Sequence, residues 1–426
     1  MTSDGTAPLV AEAVTRVHRE EWARVVAALT RRLGDLDLAE EMAAEAFALA
    51  VERWPDDGVP PNPGGWITTT AHRKAIDRLR RESRRHDKHT EAQMRWDDPS
   101  AEPRGAIDDD RLRLIFTCCH PALAVEARVA LTLRLVGGLT VPEIARAFLV
   151  QEATIGQRIT RAKAKIKAAR VPYRVPVAAD LPGRISGVLA VLYLIFNEGY
   201  LASGPAREPV RSDLTFEAIR LTRLLYALLP NDGEVAGLLA LMLLTEARRP
   251  ARVSASGELV TLDEQDRGAW DGAMVAEGHA LVRQRLAAVA AGPARPGRYQ
   301  VLAAIAAVHT SARDVRDTDW SQVVALYDQL LVLDPSPVVA LNRAVAIAEL
   351  DGPEVALAAV DRLDGPTGAG PRLGAYHPFH ATRADLLRRL GRSAEARAAY
   401  EAAIALAGNT AEVAYLTRRR DQLGPG

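Results

Sequence analysis

The 426-residue sequence predicts an all-α protein of several helical domains, and three observations carry that expectation. Ala, Leu, Arg and Val dominate while aromatics are only 5% of the chain, which suits helices that meet through small side chains. Apolar residues recur at helical spacing almost from end to end, with little alternating strand pattern. Short Pro- and Gly-rich stretches divide these periodic segments into groups of domain size. A hydrophobic share of 48% beside 25% charged residues belongs to a soluble chain able to bury a sizeable core. The net charge of +0 excludes a chain that is basic throughout, so a nucleic-acid surface has to be local.

The first domain is expected over 8–86. Arg16–Leu33 and Leu38–Trp54 read as two helices broken at Gly34-Asp35. Pro55–Gly65 follows with four prolines and three glycines, so no regular structure is expected there. An amphipathic helix then runs from Trp66 to about Arg85. Residues 87–107 are polar and aperiodic and read as a linker. Helical patterns resume over 108–170, and the Pro-containing joint Val171–Val177 leads to a helical extension over 178–312. The tail, 313–426, holds imperfect repeats. Leu386–Gly391 followed by Ala396, Tyr400 and Ala403 fits the small–large pattern of a tetratricopeptide unit, and Leu326–Pro335, Leu341–Leu350 and Pro353–Leu363 look like neighbouring helices of that kind.

The strongest functional signal lies between 139 and 167. Thr140, Pro142 and Glu143 form a capping pattern ahead of a short helix, and the turn Leu149–Glu152 leads to a second helix, Ala153–Lys167. On a wheel Ile155, Ile159, Ala162 and Ile166 share one face, and Thr154, Gln157, Arg158, Arg161 and Lys165 share another. No acid stands between Ala153 and Arg170. Alone, such a helix reads as a solvated basic face. Behind a capped helix and a short turn it reads as the second helix of a helix-turn-helix, able to present donors to a DNA major groove. A second cationic stripe lies on the Trp66 helix, where Ile67, Ala71, Ala75 and Leu79 line one side and Arg73, Arg80 and Arg84 the other, with Lys74 and Arg81 flanking. Arginine suits phosphate because its guanidinium forks bidentately.

Ala39-Glu-Glu-Met-Ala-Ala-Glu45 with Phe47, then Trp66-Ile67 and Ala75-Ile-Asp-Arg-Leu-Arg-Arg81, resemble the region-two signature of extracytoplasmic-function sigma factors. The helix-turn-helix, through Thr154-Ile-Gly-Gln-Arg-Ile159 and Arg161-Ala-Lys163, resembles their region four. Ile115–Leu123, Leu194–Tyr200, Glu264–Arg267 and the repeat tail resemble the subgroup with a large helical C-terminal extension, so the likeness covers nearly the whole chain. Arg73 and Gly156 depart from it, standing where many members have Asn and Lys.

The resemblance implies two small promoter-binding domains, regions two and four, ahead of the extension, with core RNA polymerase and promoter DNA as partners. The helix bearing Glu40, Glu41, Glu45 and Phe47 would dock on polymerase, and the wheel places Glu41, Glu45 and Glu52 on one acidic outer face. The Pro55–Gly65 loop and Trp66, Arg73, Lys74, Arg80, Arg81 and Arg84 would engage the minus-ten element and an unstacked base. Gln157, Arg158 and Arg161, opening at Thr154, would read the minus-thirty-five duplex, while Lys163, Lys165 and Lys167 anchor its backbone. The repeats would bind a protein or peptide partner. No catalytic residue, cofactor or membrane partner is expected. Two other readings stay open, a helix-turn-helix regulator with a tetratricopeptide sensor and a helical-repeat scaffold. The first leaves the Glu40–Phe47 and Trp66–Arg81 motifs unexplained, and the second the capped helix-turn-helix.

Several features are set aside. Adjacent Cys118 and Cys119 cannot form an ordinary structural disulfide, which suits a cytoplasmic chain, and on a helix they point about 100° apart, so with His120 they read as structural, not as a metal site. Asn197–Tyr200 follows an apolar run and reads as a buried polar turn. His377 and His380 would bind metal only if further ligands joined them. The N-terminus shows no secretory pattern, and the apolar runs Val188–Phe196 and Val235–Leu244 are too short to span a bilayer.

Overall fold

The computed structural model describes residues 6–86, 109–148, 150–200, 211–254, 258–292, 295–363, 373–408 and 410–424. Their regular structure is helical, α-helices with four short 3-10 helices, and the one extended pairing among them is an isolated bridge between Val253 and Leu259. The expected linker over 87–107 lies outside the described residues. The chain divides into two compact units, Met1–Leu194 and Ile195–Gly426.

The first unit opens with α1 (Thr6–Leu33), α2 (Leu36–Asp57) and α3 (Pro63–His86). Gly34 supplies the positive φ of 66° that ends α1, and Asp35 caps α2 by accepting from the backbone N–H groups of Asp37 and Leu38. Trp22, Val25, Val26 and Leu29 of α1 pack with Met42, Phe47 and Trp54 of α2 and with Ile67, Ala71 and Ala75 of α3, all buried. The alanines let three helices approach closely around two tryptophans.

The expectation for Pro55–Gly65 needs correction. The irregular segment is only Gly58–Asn62, because α2 runs on through Pro55 and α3 begins at Pro63. Pro55 sits in the last turn, where its missing N–H costs one hydrogen bond at a solvent-facing end, and Gly58 then closes the helix with an N–H to the Trp54 carbonyl at 3.0 Å. Pro63 takes the first helical position, where no N–H is needed, and Asn62 Oδ1 accepts from Gly65 N at 2.9 Å.

Helices α4 (Asp110–Cys118), α5 (Val125–Leu135), α6 (Val141–Ala147) and α7 (Glu152–Ala168) follow, and the division between the units falls within α8 (Leu181–Tyr200). Cys118 and Cys119 are buried at the end of α4, with Cys119 Sγ 3.4 Å from Thr132 Oγ1. Asn197–Tyr200 is the last turn of α8, not a separate polar turn. Glycine is needed there because a Cβ on Gly199 would lie 2.6 Å from the backbone nitrogen of Thr215.

The second unit holds α9 (Ser212–Leu228), α10 (Gly233–Glu246), α11 (Gly272–Ala290) and α12 (Arg298–Ser311). Apolar all round, α10 is buried almost throughout. Its Gly237 lets α12 approach, since a Cβ there would lie 2.6 Å from Gln300 N. Glu234 accepts from the N–H groups of Tyr299 and Gln300, capping α12, whose own N-cap is glycine. Then come α13 (Trp320–Leu333), α14 (Pro337–Leu350), α15 (Pro353–Leu363), α16 (His377–Arg389), α17 (Ser393–Leu406) and α18 (Thr410–Asp421), each packed on the helix before it. Tyr400, Ala396 and Ala403 of α17 are buried in one cluster with Ala384, Leu386 and Leu387 of α16. Among the described residues no helix is long and apolar enough to cross a membrane.

Candidate nucleic-acid interface

The helix-turn-helix is α6 and α7. Thr140 N and Oγ1 both lie 2.7 Å from Glu143 Oε2, and Glu143 N donates back to Thr140 Oγ1 at 3.3 Å, so the capping box forms as its spacing predicts. Ile155, Ile159, Ala162 and Ile166 are the buried residues of α7. Thr154, Gln157, Arg161 and Lys165 are exposed on the opposite side, with Arg158 half-buried.

Lys163 is placed differently from its neighbours. Its ammonium lies 2.5 Å from Glu40 Oε2 and 2.7 Å from Asp37 Oδ1, and its side chain is 9% exposed. Glu40 Oε1 accepts from Arg134 Nε at 2.5 Å, so one carboxylate on α2 holds a cation from α5 and another from α7. Lys167 reaches Asp35 Oδ2 at 3.3 Å. Burial works against the Lys163 charge, but the carboxylates of Glu40 and Asp37 outweigh it and raise its pKa above the ordinary lysine value. In this conformation Lys163 joins α7 to α2 and does not lie on the free cationic face, whereas Lys167 touches Asp35 but stays exposed.

Other contacts tie the same parts together. Gly138, at φ 77°, runs so close to α1 that a Cβ would lie 2.9 Å from His18 and 3.1 Å from Trp22. Trp22 Nε1 donates to the Arg134 carbonyl at 3.2 Å, and the Arg134 guanidinium sits 5.7 Å from the Trp22 ring centroid. Tyr173, in the Pro-containing joint, places its hydroxyl 3.0 Å from the Ala27 carbonyl and 3.1 Å from that of Asp110. Burial pushes its pKa up.

On α2, Glu41 and Glu45 are outward-facing but paired with α3, Glu45 to Lys74 at 2.9 Å and Glu41 to Arg78 at 3.4 Å. Phe47 is not on that face. It is buried in the core, 4.8 Å from the His18 ring and 5.9 Å from that of Trp22, and Glu40 is turned inward toward α7. The reason is spacing, since both lie on the stripe of Ala39, Met42, Ala43 and Ala46, which packs inside. On α3, Arg73, Arg80 and Arg81 are exposed. Trp66 is half-buried against Trp54, ring centroids 5.6 Å apart, and the Arg84 side chain lies outside the described residues. Sequence reasoning missed Asp35, Asp37, Arg78 and Arg134. The partners of Asp35, Asp37 and Arg134 are 94 to 132 residues away, and no local signal announces such pairs.

No cluster of three or more His, Cys, Asp or Glu able to hold a metal occurs among the described residues. Burial raises the pKa of the Cys118 and Cys119 thiols, that of Cys119 to about 11. His380 contacts the Gly374 carbonyl and His377 faces Glu412.

These two helical modules, one ending in a helix-turn-helix, match known families. Residues 19–85 match the model for Sigma-70 region 2 and residues 113–166 that for Sigma-70, region 4, while 184–286 match a family of unknown function. An uncharacterized protein of Rhizobium meliloti is 45% identical over 407 residues, spanning 94% of this chain and 93% of that protein. The extracytoplasmic-function RNA polymerase sigma factor SigK of Mycobacterium bovis is 30% identical over 142 residues, 32% of this chain and 74% of SigK. The probable extracytoplasmic-function sigma factor SigI of Mycobacterium tuberculosis is 27% identical over 211 residues, 46% of this chain and 71% of SigI. No solved structure matches. The chain belongs to the extracytoplasmic-function sigma factors, with a helical C-terminal extension.

Proposed function

We propose that the protein binds core RNA polymerase and directs promoter recognition, promoter melting and transcription initiation. The observation that carries this reading is α7, whose apolar back is buried while Thr154, Gln157, Arg158, Arg161 and Lys165 line its front, and which follows a short helix, α6, that opens with a complete capping box. That front suits the minus-thirty-five duplex, with Gln157, Arg158 and Arg161 toward base edges and Lys165 toward the backbone. Arg73, Arg80 and Arg81 on α3, beside Trp66, suit the minus-ten element, with Lys74 free to join them only by leaving Glu45. The outward Glu41–Glu45 face of α2 suits a basic surface of polymerase. Phe47 serves by holding α2 on α1. Lys163 reaches DNA only when α7 parts from α2, so its ion pairs with Glu40 and Asp37 set how readily the two promoter-binding parts separate.

The second unit we read as a regulator built on tetratricopeptide-like hairpins, supported by the pairing of α13–α18 with their sequence neighbours. The test adds the purified chain to sigma-free core polymerase with a library of promoter fragments and sequences the transcripts. Transcripts starting at a shared pair of upstream elements are expected. Start sites scattered as with core enzyme alone would remove the proposal. A chain ending near Arg170, shown folded by circular dichroism, should still bind core polymerase but change transcript yield; unchanged yield would remove the regulatory role.

A further inference from the structure

The second unit contains a pocket of about 360 Å³, lined by the end of α8, by Arg248 and Arg252, by the 259–265 segment, and by α16 and α18. Two segments singled out in the sequence converge there, Leu194–Tyr200 through Tyr200 and Glu264–Arg267 through Gln265. Promoter recognition has no use for either.

The wall holds a buried cation near Glu412 and Glu246 but ion-paired to neither. Arg252 is 8% exposed, its guanidinium stacks 3.3 Å from the Tyr200 ring centroid, and it donates to the Tyr200 carbonyl. Among the described residues no carboxylate forms an ion pair with it. Glu246 is bound to Arg249 at 2.6 Å, and Glu412 faces His377 at 3.6 Å. Beside it Arg248 donates to Tyr200 Oη at 3.0 Å. Four polar atoms of the lining are buried with no hydrogen-bond partner: Arg248 Nε, Thr261 Oγ1, Gln265 Oε1 and His377 Nδ1. Buried polar atoms in folded proteins are nearly always satisfied, and a buried guanidinium is costly unless an anion accompanies it. Burial raises the pKa of Glu412, against the opposing pull of His377 and Arg252. The remaining wall is apolar, formed by Leu259, Leu262, Pro378, Ala381 and Leu416. The pocket's volume of about 360 Å³ falls in the range of small-molecule sites.

We propose that this cavity is a binding site for a small organic carboxylate with an apolar body, its carboxylate held by Arg252 and Arg248 and its body against Leu259, Leu262 and Leu416. Thr261 and Gln265 line the same pocket beside the arginines. The site makes the extension a sensor of a small acid, independently of any DNA or polymerase surface.

The test uses the full-length chain alone, so its outcome does not depend on transcription. Thermal unfolding and titration calorimetry are run with sodium phenylacetate, 4-hydroxyphenylacetate, hexanoate and L-phenylalanine, and with phenylacetamide as the neutral counterpart. At least one carboxylate should bind saturably below about 1 mM, with phenylacetamide weaker by about tenfold or more. Arg252→Gln should abolish that binding. Because Arg252 also packs on Tyr200, Gln265→Leu and Thr261→Val are measured beside it and should each weaken binding severalfold while circular dichroism stays unchanged. Failure of every carboxylate to bind, equal binding of the amide, or unaltered binding in both folded variants overturns the proposal.

Discussion

Replacing Lys163 by Met tests whether α7 is held to α2 by charge. The methionine keeps most of the side-chain volume and removes one of two cations on Glu40, leaving Arg134 at 2.5 Å. A hydrogen bond to a charged group contributes about 1.5–3 kcal/mol, and because Arg134 remains, the low end applies, about 1.5 kcal/mol. That corresponds to roughly a tenfold increase in local opening, which hydrogen exchange reads at the amides of 159–167. Arg134→Met should cost more, about 3 kcal/mol, since it also removes the bond to the Leu139 carbonyl and the contact with Trp22. In a double-mutant cycle Lys163→Met and Glu40→Gln should couple by about 1 kcal/mol. The pH window follows from the raised pKa of Lys163. Its contribution is fully present below the ordinary value of 10.5 and is lost as pH rises through the raised one, so the effect of Lys163→Met should persist across neutral pH. Additivity of the two substitutions to within about 0.3 kcal/mol would refute the reasoning, because it would mean that the pair stabilises nothing.

Arg161→Ala should reduce promoter discrimination by about 1–3 kcal/mol, whereas Lys165→Ala should weaken binding evenly across sequences and lower the salt slope by about one; competition binding to variant promoter duplexes distinguishes them. Gly138→Ala should destabilise the first unit by about 1–3 kcal/mol, seen as faster exchange in α1 and α5, since the new Cβ meets both a left-handed φ and the His18 and Trp22 rings. Cys118 and Cys119, buried with raised pKa values, should resist a disulfide reagent at pH 8 until the chain is denatured, and rapid labelling of the native chain would contradict their burial.

The local periodicities settled a large part of this protein by themselves. The buried face of α7, the capping box of α6 and the apolar stripe of α3 through Ile67, Ala71 and Ala75 all follow from spacing within a few residues, because a helix fixes which side chains share a face. The Pro55–Gly65 segment shows where composition misleads, since Pro63 at the first helical position lacks only an N–H that the end does not use, and Pro55 in the last turn of α2 costs a single hydrogen bond. What tertiary structure alone decided is the partner of each charge. Lys163 and Lys165 are equivalent on the basis of sequence, yet one is closed against Glu40 and the other faces solvent, because α2, 123 residues away from Lys163, lies against only one of them. Phe47 and Glu40 are turned inward by the alanine stripe they share, and the cavity around Arg252 exists only where α8, α16 and α18 meet. Periodicity specifies faces; which faces meet depends on long-range packing, and that packing decides which charges are left for DNA, polymerase or a small acid.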